Sequence, residues 1–81
     1  MRLPKLDSLC HVTWWDICGY INDPLSKVKP VRCVTVGWLI RIEKNYIVIA
    51  SSIYDGDESD KTIDATALPV GCIESVKRLK E

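Results

Sequence analysis

Apolar and polar residues along this chain alternate with a period of two far more often than with the helical 3.6, and that period predicts strands. From Leu9 to Cys18 most positions are β-branched, aromatic or cysteine; alternation sets Cys10, Val12 and Trp14 on one face and His11, Thr13, Trp15 and Ile17 on the other. A first strand with apolar bulk on both faces is expected to put one side on a core and the other on a partner subunit or ligand. Gly19-Tyr20 ends it. Asn22-Asp23-Pro24 ahead of Leu25-Ser26 predicts a short helix or turn with preset φ, and Lys27-Val28-Lys29-Pro30 returns the chain to extended structure.

The clearest alternation follows Pro30. Val34, Val36, Trp38, Ile40 and Ile42 share one parity, which predicts a long central strand with that set facing the core. Its other face offers Val31, Cys33, Thr35, Gly37, Leu39 and Arg41, smaller and more polar, with Gly37 marking a bend or a close backbone approach. Glu43-Lys44-Asn45 is a turn and Tyr46 to Ala50 the returning strand, so residues 31–52 form a β-hairpin. Tyr54 to Lys61 reads as an exposed loop and Thr62 to Leu68 as a fourth strand. Pro69-Val70-Gly71 is a tight connector. Cys72 to Leu79 fits a fifth strand, although Ile73, Val76 and Leu79 also match a helical spacing. The fold class is therefore mostly β: a small five-stranded barrel, closed or nearly so, because a flat sheet of this size leaves an apolar face uncovered.

Composition bounds the architecture further. With 81 residues, 47% hydrophobic and 27% charged, residues 1–81 make a single domain of the size that gains from self-association, so a homo-oligomer is expected. Eleven basic residues balance eleven acidic ones, which argues against a general nucleic-acid binder. The balance hides an uneven distribution: residues 1–44 carry seven basic and four acidic groups, residues 45–75 one and six, and the last six three and one. Such asymmetry leaves room for a local basic pocket and for pairing of opposite patches between subunits. Met1 to Asp7 lacks the apolar core of a secretory signal, and no apolar run reaches the roughly 18 residues of a membrane span, so a cytoplasmic protein without a membrane role is expected.

The inventory of reactive groups is thin. Cys10, Cys18, Cys33 and Cys72 form no Cys-x-x-Cys pair and read as buried free thiols. His11 is the only histidine and points away from its neighbour Cys10 in a strand, which opposes a nucleophilic dyad. There is no Gly-x-Ser-x-Gly elbow, phosphate-binding glycine loop or His-Glu-x-x-His. The acidic run Asp55 to Asp60 invites calcium, but the sixth position of the helix–loop–helix template holds Asp60 and the twelfth Thr66. The expectation is a non-enzymatic protein with no metal and no cofactor. Six rings, Trp14, Trp15, Trp38, Tyr20, Tyr46 and Tyr54, are better suited to binding than to reaction, and only one of Trp14 and Trp15 fits a single core.

Val34-Thr35-Val36-Gly37-Trp38-Leu39-Ile40, then Tyr46-Ile47-Val48-Ile49-Ala50, then Leu68 to Val76 resemble small proteins encoded by bacteriophages and prophages, over most of residues 10–80. In layout the chain is also similar to Sm-like and SH3-like barrels, whose long bent strands are interrupted by glycine. That resemblance implies oligomers with ligands at the seams. The Sm family's Asp and Asn pattern for RNA contact is absent from the hairpin, and the Gly71-Cys72-Ile73 spacing departs from that family. Phage barrels of this kind include proteins that counter host defence by sequestering a nucleotide-derived signal, cyclic or ADP-ribose-like, between subunits. Carried to this chain, the resemblance implies stacking by Trp15 and Tyr54, phosphate contacts from Arg32 and Arg41, and polar edges from Asp16 and Thr35. The rival expectation is a module that binds a host or phage protein through an exposed aromatic surface or sheet edge.

Overall fold

The structure, a computed structural model, describes residues 1–54 and 63–79. Five antiparallel strands form one open sheet in the order β4-β3-β2-β1-β5. They are β1 (Leu9–Asp16), β2 (Val31–Ile42), β3 (Tyr46–Ile53), β4 (Ile63–Pro69) and β5 (Ile73–Arg78). Leu25–Lys27 and Val70–Cys72 are single 3₁₀ turns, each directly preceded by a proline whose fixed φ suits the entry. The predicted loop after Tyr54, with the acidic run Asp55 to Asp60, lies outside the described residues.

The last segment is a strand, and its neighbour explains why. β1 has an edge of backbone donors and acceptors away from β2 that needs a partner, and β5 meets it in register, Val12 opposite Val76 and His11 opposite Lys77, ending with Leu79 N–H on the Leu9 carbonyl at 2.8 Å. A helix could not supply that ladder of donors and acceptors. β1 stops at Asp16 rather than running on to Cys18, because β2 begins opposite it at Val31.

The core consists of Cys10, Val12, Leu39, Ile47, Ile49 and Leu68, with Leu3, Trp14, Ile73 and Val76 packed against it. Burying each large aliphatic chain contributes about 1.5–3 kcal/mol, so this small cluster carries most of the hydrophobic stabilisation. The expected inward set of β2 is not in it. Val34, Val36, Trp38 and Ile42 are exposed, while Gly37 and Leu39 of the opposite parity are buried. Two local features cause this correction. A Cβ on Gly37 would collide with the Ala50 carbonyl and lie 2.7 Å from Ile49 Cγ2, so the glycine face is the concave one where β3 crosses closely. A bulge between Leu39 and Arg41 then shifts the pairing, so the parity does not persist through Ile42.

Between β1 and β2 the chain makes a long excursion in which every residue from Ile21 to Pro30 is exposed. Its internal hydrogen bonds are Tyr20 Oη–H to the Lys29 carbonyl at 2.8 Å and the two backbone bonds of the 3₁₀ turn. No helix of the described residues is long and apolar enough to cross a membrane.

Candidate functional site

The adjacent tryptophans divide as strand geometry requires. Trp14 points inward against the core and donates its indole N–H to Thr35 Oγ1 at 2.9 Å, while Trp15 stands on the outer face, 41% exposed. In the β1–β2 register Trp15 lies opposite Arg32 and Asp16 opposite Val31. Three of the six residues singled out in the sequence, Trp15, Asp16 and Arg32, therefore meet at one end of the sheet.

Beside them is a crevice of about 240 Å³, where the end of β1 (Trp14 to Ile17) faces the end of β4 (Thr66 to Pro69) with Cys72 between. It lies between strands that are not neighbours in the sheet, of which β4 and β5 are the two unpaired edges. Aromatic and aliphatic walls with one carboxylate suit a flat or apolar group more than a strongly hydrated ion. The sequence reading missed the β4 wall, since Ala67, Leu68 and Pro69 carry no chemical label and come into play only through topology.

The cation opposite Trp15 is already engaged. Arg32 Nε donates to Glu74 Oε2 at 2.8 Å, and both side chains are about half exposed. Four guanidinium N–H donors besides Nε remain for an anion, but Glu74 offsets part of the charge.

The other candidates sit elsewhere. Thr35 is on the inner face as the acceptor for Trp14, on the opposite side of the sheet from Trp15. Arg41 is nine residues beyond Arg32, about 30 Å along the strand. It lies over the Tyr46 ring at 5.5 Å, donates to Tyr46 Oη at 3.1 Å and faces Glu43 at 3.7 Å. Tyr54 follows β3 and donates its hydroxyl to Asp64 Oδ2 at 2.6 Å; that bond and the carboxylate charge hold its phenol above the usual range.

His11 faces outward between Val36 and Lys77. All four cysteines are free, but only Cys10 is buried, so the expectation of four buried thiols is corrected to one. Burial pushes the Cys10 thiol up, outweighing the opposing pull of the Arg78 charge and a backbone hydrogen bond from Leu39. Among the described residues no three His, Cys, Asp or Glu side chains come together as a metal site. A search of protein families, characterised proteins and solved structures finds nothing that matches this chain.

Proposed function

We propose that this chain is a small SH3-like barrel that binds a ligand without transforming it, and that its site is the Trp15–Asp16–Arg32 end of the sheet. The barrel reading is supported by the strand order, by the close approach of β2 to β3 at Gly37 with a bulge after Leu39, and by the 3₁₀ turn joining β4 to β5. The observation that carries the binding reading is the strand register that sets Trp15, which lines the crevice, opposite Arg32. A ring for stacking, a guanidinium for phosphate and a carboxylate for ribose hydroxyls match a nucleotide-derived signal, cyclic or ADP-ribose-like. In the phage setting that the sequence resemblance implies, sequestering such a signal would counter host defence, and sequestration requires affinity and copy number rather than a catalytic base. Because the crevice is open on one side, a second subunit is the natural source of the missing wall.

The test is retention. Protein is incubated with ADP-ribose or a cyclic dinucleotide, freed of unbound ligand, then heat-denatured, and the released nucleotide is quantified. Intact nucleotide recovered from the parent and lost from Arg32→Ala supports the reading; no retention by the parent overturns it. A second reading, a protein-binding module, is favoured by the apolar stripe Val34, Val36 and Trp38 on the outer face.

A further inference from the structure

We propose that the excursion between β1 and β2 is an exchange arm, and that it packs with the outer face of β2 against a second copy of this chain in a two-fold dimer. The proposal stands whether or not a nucleotide binds.

Ile17, Ile21 and Leu25 are 85%, 87% and 87% exposed, values close to those of an unfolded chain. Scattered exposed aliphatics are ordinary, but three nearly naked ones within nine residues are not. Their spacing of four would line one face of a helix, yet Asn22 takes a left-handed φ of 56° and Pro24 follows, so only the 3₁₀ turn Leu25–Lys27 forms. The arm's apolar side chains thus have no cover from the described residues of its own chain.

The complementary surface lies at its root. The excursion leaves β1 at Asp16 and rejoins β2 at Val31, which are paired, and from there Val34, Val36 and Trp38 run along the outer face, 53%, 49% and 40% exposed. Arm and stripe therefore share a root at the Asp16–Val31 pair, and each copy owns both halves of the contact. That is the requirement for an isologous pair, in which the arm of each protomer crosses the stripe of the other. Covering Ile17, Ile21, Leu25, Val34, Val36 and Trp38 would remove several hundred Å² per protomer, on the order of the ~800 Å² that each partner gives to a stable interface.

Sedimentation equilibrium on the full chain at micromolar concentration reads the outcome. The parent should have twice the chain mass. The arm variant Ile17→Ser/Ile21→Ser/Leu25→Ser should have half the parent's mass, with an unchanged far-ultraviolet spectrum, because these side chains are exposed in the single chain. The stripe variant Val34→Thr/Val36→Thr should likewise be monomeric. A monomeric parent, including one that captures a different protein, would overturn the proposal, as would a dimer unaffected by the arm variant or an assembly larger than two. Nucleotide retention is scored separately on the same samples, so a dimer without ligand overturns only the ligand reading.

Discussion

Gly37 and Ala50 approach so closely that a single methyl group on the glycine would occupy the space of the Ala50 carbonyl oxygen. The obstacle is backbone, with Ile49 Cγ2 beside it at 2.7 Å, so no side-chain rotation relieves the clash. Gly37→Ala should cost about 2 kcal/mol and lower the thermal midpoint by roughly 10 °C. A melting curve equal to the parent's would show that β2 and β3 do not cross in this way.

The Trp14–Thr35 hydrogen bond provides a test that separates folding from binding. Thr35→Val keeps the shape but removes the acceptor at 2.9 Å, leaving a partly buried indole N–H unpaired at a cost of about 1–2 kcal/mol. Denaturant unfolding should show that loss while ligand retention stays at the parent's level. A variant as stable as the parent but unable to retain nucleotide would return Thr35 to the binding residues.

Glu74 works in the opposite sense. Its bond to Arg32 is solvent-exposed and contributes under about 1 kcal/mol, so Glu74→Gln should scarcely change stability. It should, however, tighten anion binding by releasing the guanidinium. Isothermal titration with ADP-ribose decides the matter, and weaker binding in the variant would place the phosphate away from Arg32.

Among the described residues, two groups have an ionisation shifted from the ordinary. The phenol of Tyr54 is held above its usual 10.0 by the bond to Asp64, because ionisation breaks that bond and sets two negative charges side by side. Absorbance titration at the phenolate band should show one late tyrosine that becomes ordinary in Asp64→Asn. The Cys10 thiol is also raised, chiefly by burial, and should react with a thiol reagent far more slowly than Cys18, Cys33 or Cys72 at mildly alkaline pH. For both groups the folded pKa exceeds the unfolded one. Their contribution to stability is complete below the unfolded value, 9.0 for the thiol and 10.0 for the phenol, and is lost as pH rises through the folded one. A melting midpoint that improves across that alkaline range would contradict this sign.

Most of the strands were legible because a period of two is a direct imprint of the pleat. The hairpin, the proline-led turn after β1 and the close approach at Gly37 all follow from local residue types. The face of β2 did not. Five bulky residues on one parity outvoted a single glycine, yet the glycine held the decisive information, since the side of a strand that another backbone crosses has to be the side without bulk. Val34, Val36 and Trp38 were consequently assigned to the core when they form the outer stripe. At the site, Trp15, Asp16 and Arg32 were named from the sequence, but their meeting depends on the β1–β2 register, and the β4 wall and the Glu74 partner of Arg32 depend on pairings between residues far apart in the chain. Such pairings leave no periodic trace.

The strand order has a consequence for how the chain is made. Three of its four pairings join consecutive strands and can form as each hairpin is completed, but β1 waits for β5, with Cys10 opposite Arg78. Until β5 is made, the backbone donors and acceptors on the edge of β1 away from β2 have no partner strand. The nascent chain is therefore most open to mispairing with its neighbours in the interval between completion of β4 and the arrival of β5.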